Sequence, residues 1–223
     1  MFRALRLRRA HSKFLDYCRS LGEGREYWSQ AGPVKMFFLN LLIPIPLAGL
    51  HPEAQSLLSA LEWLEAHCRE VPLTVDVLRD YHQWAVGAEA SGAGSFRSKA
   101  VSLSGSGVAR APFERVPALM KQFELKLIQE QARLDADARA DAERVLELAV
   151  FVHERIALIH PFEDGNGRVA RLGMNHVMRR YRQGYILLPP VNESPALLGA
   201  MEEAHRGDLR PFTEFARSQL CKI

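Results

Sequence analysis

From residue 51 onward, apolar side chains recur at helical spacing along most of the chain. Leu57, Leu58, Leu61 and Leu64 follow the three-and-four spacing of a stripe that faces a core. A second stripe, Val77, Leu78, Tyr81 and Trp84, follows Thr74, a residue type suited to capping a helix start. The strongest pattern predicts a helix from about Asp135 to Ile159, with Val145, Leu148, Ala149, Val152, Ile156 and Ile159 on one face. Asp135, Asp137, Asp141 and Glu143 crowd its N-terminal half, where the helix dipole favours carboxylates. That helix stops at His160-Pro161, and a new one starts in a Gly-Asn-Gly and runs to Gly184. Two more helices are predicted near 194–206 and 209–220.

Between the second and third stripes the pattern changes. Residues 90–113 are rich in glycine and serine, with one short alternating run, FRSKAVSL, from Phe96 to Leu103. This reads as a hairpin or extended flap between helices, and a loop of that length in a compact domain is commonly functional. The fold class predicted is therefore mainly α, a helical bundle with a small β-hairpin flap. Residues 1–50 read as an N-terminal appendage, a basic helix followed by an apolar connection, and residues 51–223 as the domain proper. The apolar stretch 36–50 holds Asn40 and two prolines, too short and too broken for a membrane span.

Composition sharpens this only locally. A net charge of +3 on 223 residues does not by itself argue for nucleic acid. The basic segments also lack the interleaved aromatics of a single-strand binder. Five arginines (168, 171, 179, 180 and 182) fall between Asp164 and Glu193 without an acid, however, which implies a local field attractive to anions. Three scattered cysteines, Cys18, Cys68 and Cys221, make no disulfide framework or zinc motif. They fit a reducing, cytoplasmic setting, with delivery as a translocated effector left open.

The chemistry concentrates in residues 160–171, HPFEDGNGRVAR. Glycines around an asparagine at a helix start let successive N–H groups point at one spot, and such a nest at the positive end of a helix binds phosphate. Arg168 and Arg171 lie on the first turn, three apart, positioned to grip the same anion. Asp164, a lone carboxylate beside phosphates, suits a Mg²⁺ ligand. His160 is the one group able to take a proton near pH 7, and Phe162 is an apolar anchor for the loop. His153 and His176, inside helices, read as packing residues.

These twelve residues match at every defined position the pattern His-x-Phe-x-Asp/Glu-Gly-Asn-Gly-Arg-x-x-Arg, and so resemble the signature of the Fic family (filamentation induced by cAMP). The resemblance extends over about 72–220. LTVDVLRDYHQW resembles the helix before the family's flap, GSFRSKAV the flap's first strand, and AMEEAHRGDLRPFTEF the closing helices. It implies transfer of AMP from ATP to a Tyr, Thr or Ser hydroxyl of a target protein, with Mg²⁺. His160 is then the general base and Asp164 the metal ligand. Phe162, Gly165, Asn166, Gly167, Arg168 and Arg171 are assigned to the nucleotide. Phe96, Arg97, Ser98, Lys99, Ala100 and Val101 become the flap on which a protein substrate docks as an added strand.

Relatives of the Doc toxin carry Ala and Lys in place of the two glycines and transfer a terminal phosphate. Gly165 and Gly167 therefore favour AMP transfer. A phosphotransferase, an AMP-removing hydrolase on the same scaffold and a non-catalytic nucleotide-binding module are the alternatives. Many members are restrained by a Ser/Thr-x-x-x-Glu-Gly/Asn helix whose glutamate pairs with the motif's last arginine. The only Glu-Gly here is Glu23-Gly24, with Arg19 at the position of the Ser or Thr. Glu23 is the candidate brake, a separate inhibitory partner protein is the alternative, and self-association is left open.

Overall fold

The computed structural model describes residues 60–61, 63–101, 110–137, 141–189 and 194–221. The 1–50 appendage, with Glu23, lies outside them. Within them, a helical stretch at 63–67 precedes α1 (Val75–Val86). A 3-10 turn at Phe113–Arg115 leads into α2 (Val116–Asp135), followed by α3 (Ala142–Ile159) and α4 (Asn166–Arg180). Strand β1 (Tyr185–Ile186), α5 (Pro195–His205), α6 (Arg210–Ser218) and β2 (Leu220–Cys221) close the chain. None of the described helices is long and apolar enough to cross a membrane.

Helix α4 is the axis of the bundle. Every residue from Val169 to Met178 is buried, so this helix is covered all round rather than striped. It packs along α3 and against α1, while α2 and α6 cover the outer side of α3. It comes close to both neighbours at Gly173. A Cβ there would lie 2.9 Å from Leu78 Cδ2 of α1 and 3.0 Å from Val152 Cγ1 of α3. His176 serves the same packing. Its Nδ1 bonds the Tyr81 hydroxyl at 2.8 Å and its Nε2 bonds the Val71 carbonyl at 2.9 Å, which ties α4 to α1 and to the segment before it.

The helix starts follow local chemistry. Thr74 Oγ1 accepts from the Val77 N–H (3.2 Å), and Ser194 Oγ from the Leu197 N–H (3.2 Å). Asp141 Oδ1 accepts from the Glu143 N–H at 3.0 Å, and this cap corrects the predicted helix from Asp135. Asp141 starts α3 and Asp135 ends α2, where its carboxylate accepts from Tyr181 and Arg180. The acids attributed to one helix start are thus divided between two helices. Helix α4 also ends earlier than expected, at Arg180. Arg182 (φ 61) and Gly184 (φ 94) turn the chain into β1, which pairs antiparallel with β2. A two-residue strand is too short to leave an alternating pattern in a sequence.

Candidate active site

The chemistry-bearing turn joins the end of α3 to the start of α4. Helix α3 ends because His160 is left-handed (φ 54, ψ 60) and Pro161 has no N–H with which to continue it. The Asn166 side chain then closes the loop. Its Oδ1 accepts from the Phe162 N–H and its Nδ2 donates to the Phe162 carbonyl, both at 2.9 Å. Beneath it the Phe162 ring, fully buried, stacks on His82 of α1 at 3.9 Å with 4° between planes. Gly165 precedes α4 with φ +73, and a Cβ there would sit 3.0 Å from Val86 Cγ1, so both backbone and space demand glycine.

One assignment changes as a result. Phe162 supports the loop from below and has no exposed face for a nucleotide. The Asn166 side chain is spent on the loop, which leaves its backbone as the group available to an anion. The N–H groups of Asn166, Gly167 and Arg168 lie in the first turn of α4 and have no acceptor one turn back within the helix. Gly167 has ordinary helical geometry, and the nearest atom to a Cβ there is Arg171 Nη1 at 3.5 Å. The space before it is open.

His160 is half-buried, and burial lowers its pKa to about 4, with Arg110 and Arg97 acting in the same direction and the Ala157 carbonyl and Asp164 opposing them. It is neutral at pH 7. Its Nδ1 lies 3.4 Å from the Ala157 carbonyl, which can only accept, so Nδ1 carries the hydrogen and Nε2 is left to take a proton. Asp164 extends into solvent, 82% exposed, with Oδ2 accepting from Arg168 Nη2 at 2.8 Å. Arg168 Nη1 also donates to the Ala85 carbonyl at the end of α1.

Arg171 differs from Arg168. It is 6% exposed, donates from Nη2 to the Pro189 carbonyl (2.9 Å) and from Nη1 to the Gly167 carbonyl (3.4 Å), and its Nε has no partner. Burial lowers its pKa to about 10, which leaves it charged at neutral pH. Among the described residues no carboxylate pairs with it. A buried cation without a counter-ion is costly, so this guanidinium is arranged for an anion brought from elsewhere.

The predicted flap divides in two. Phe96 and Arg97 turn inward. The Phe96 ring lies 6.0 Å from that of Phe162, and the Arg97 N–H donates to the Pro161 carbonyl at 2.8 Å. The Arg97 guanidinium, 4% exposed, donates to the carbonyls of His160 (2.7 Å), Lys99 (3.1 Å) and Ala111. The N–H and guanidinium of Arg97 are thus engaged within the protein, while Phe96 is half-buried. Ser98, Lys99 and Ala100 are exposed, Val101 is half-buried, and Lys99 pairs with Glu163 at 3.0 Å. Residues 96–101 form no strand, and 102–109, where a hairpin would turn and return, lie outside the described residues.

His82 was not singled out by the sequence. Its only signal there is a place on the buried face of α1, with Leu78 and Ala85 at helical spacing. His153 is also buried, edge-on to Phe212 at 5.1 Å, which agrees with a packing role.

Residues 72–178, the span from before α1 through the site to the end of α4, match the family model described as Fic/DOC family. These residues form a Fic/DOC-family domain. The chain is 30% identical over 174 residues to the protein adenylyltransferase Fic of Nematostella vectensis, which covers 74% of this chain and 37% of that protein. It thus spans well under two thirds of the length of the curated relatives it matches. Among solved structures, a Fic domain containing signaling protein from Bacteroides thetaiotaomicron superposes with a TM-score of 0.64 at 20% identity, over 96% of this chain and 92% of that one. The translocated effector BepC of Bartonella tribocorum, with bound AMPPNP, superposes with a TM-score of 0.53 at 16% identity, over 76% of this chain and 86% of that one. At these identities the structural likenesses establish the Fic fold.

Proposed function

We propose that this site is that of a protein adenylyltransferase, which transfers AMP from ATP to a Tyr, Thr or Ser hydroxyl of a protein lying along the flap. The observation that carries the reading is Arg171: buried, charged, without a carboxylate partner among the described residues and with an idle Nε, beside the open N-terminal turn of α4. A polyphosphate satisfies both groups at once. The adenylyltransferase names of the relatives and the AMPPNP bound to BepC support the nucleotide.

In this reading the N–H groups at the start of α4 hold phosphate oxygens, with Arg171 beneath and Arg168 at the rim. His160 accepts the hydroxyl proton at Nε2 as the oxygen attacks the α-phosphate. Diphosphate leaves, its charge held by the two arginines. Three or more metal-ligating side chains do not cluster anywhere among the described residues. Asp164 nevertheless fits Mg²⁺, which takes one or two carboxylates and fills its remaining positions with phosphate oxygens and water. Its carboxylate is exposed, with Oδ1 unengaged. Bound there, the ion would offset charge on the phosphates.

Incubation with ATP labelled at either the α- or the γ-phosphate tests the reaction. Label from the α-phosphate should appear on protein and vanish in His160→Ala, a fall of at least about 100-fold for loss of a general base. Label from the γ-phosphate would replace the reading with phosphate transfer. Bound ATP with no label on protein would leave a binding module.

A further inference from the structure

Beneath the loop, His82 uses both ring nitrogens. The Gly94 N–H, at the root of the flap, donates to Nδ1 at 2.9 Å. Nδ1 is therefore bare, so Nε2 carries the hydrogen and donates to the Asp164 carbonyl at 3.2 Å. The ring is 4% exposed and stacks flat on Phe162. One neutral imidazole thus ties three segments together: α1, the flap root and the loop between His160 and Gly165.

The bond to Asp164 has a directional consequence. In a trans peptide the C=O and the following N–H point opposite ways. Holding the Asp164 carbonyl against α1 therefore turns the Gly165 N–H away from α1, towards the side on which the start of α4 opens. Rotation of that peptide is opposed by the left-handed Gly165, whose Cα face lies against Val86 and His82. The Asp164 side chain is almost fully exposed, so its placement rests on its backbone and on Arg168 rather than on packing.

We propose that His82 is a positioning residue: it fixes the Asp164–Gly165 peptide so that the Gly165 N–H joins the phosphate nest and the Asp164 carboxylate meets Mg²⁺, and with its other nitrogen it seats the flap root at Gly94. The inference rests on the nucleotide reading of the site.

Three variants separate the two bonds. His82→Phe keeps a ring on Phe162 and loses both. His82→Asn places an amide oxygen near Nδ1, keeps the Gly94 bond and cannot reach Asp164. His82→Gln places an amide nitrogen near Nε2, keeps the Asp164 bond and releases Gly94. Calorimetric affinity for a non-hydrolysable ATP analogue with Mg²⁺ should fall about tenfold in Phe and Asn, the scale of one lost nest contact, and recover to within about threefold in Gln. Hydrogen exchange at Gly94 should show the opposite order, faster in Phe and Gln and near wild type in Asn.

Wild-type affinity and exchange in His82→Phe would overturn the proposal, as would Asn and Gln variants that behave alike. If His82→Phe does not fold, the Asn and Gln contrast decides alone. Neither readout requires transfer. Wild-type protein that binds the analogue without labelling any protein therefore refutes the reaction and leaves the role of His82 to the contrast. Protein that binds no analogue refutes the nucleotide reading, and unchanged exchange at Gly94 in His82→Gln would then refute the seating of the flap root as well.

Discussion

The turn at 160–167 is closed chiefly by its own residues, with His82 and Arg97 bracing its backbone from outside, whereas the flap root at 94–101 is held by side chains that reach in from elsewhere or reach out to distant backbone. In the turn, Asn166 bonds back four residues to Phe162 on both its N–H and its carbonyl. At the flap root, His82 holds the Gly94 N–H, Arg79 Nε donates to the Gly94 carbonyl at 2.7 Å, and Arg97 spans to His160 and Ala111. The first region is a pre-built cradle. The second is a strap whose seat depends on three other segments, and such a seat can be released without dismantling the cradle.

The comparison breaks most visibly at Asn166. Asn166→Ala strands a buried donor and a buried acceptor on Phe162, which should cost about 2–4 kcal/mol in chemical unfolding and abolish nucleotide binding. Arg97→Ala should cost less, about 1–3 kcal/mol, because the carbonyls it leaves are nearer the surface. It should lower AMP transfer sharply by freeing the His160 carbonyl and the flap.

Acid bears on the cradle and its supports. His160, His176 and His205 are lowered to about 4 and His153 to about 3, in each case first by burial. Between their ordinary value and these, the unfolded chain binds more protons than the folded one. This part of the stability is therefore complete above about pH 6.5 and lost as pH falls towards 4, at up to about 1.4 kcal/mol per unit for each fully buried histidine. Melting temperature should decline through that window, and a flat profile would contradict the burial. The acid limb of kcat/KM should lie below about pH 5, since His160 stays neutral above that. The smallest effect belongs to the exposed Lys99–Glu163 pair. Lys99→Ala should change stability by less than about 1 kcal/mol and should alter only how the target is held.

This difference in wiring also explains what could be read from the sequence. The helical stripes of α1 and α3 and the motif turn were legible because each is encoded within a few residues, as is the cap at Thr74. The roles of Arg97 and His82 are not legible there, because apart from Lys99 the hydrogen-bond partners of their side chains lie 12 to 82 positions away and no local spacing carries that information. The split at Asp135–Asp141 leaves no local mark, because the apolar stripe begins only at Val145 and a single capping bond decides the break upstream of it. Arg171 was assigned to phosphate from its place in the motif. That it is a buried cation with no carboxylate beside it among the described residues emerges only from the packing of α4.

The most direct test of the pre-built cradle is the affinity of the ATP analogue with Mg²⁺, measured side by side in Asn166→Ala and Arg97→Ala proteins. The account predicts that Arg97→Ala binds within about threefold of wild type, a loss below 1 kcal/mol, while Asn166→Ala binds at least about 30-fold more weakly. Equal losses in the two, or a greater loss in Arg97→Ala, would show that the flap builds the phosphate site and would contradict it.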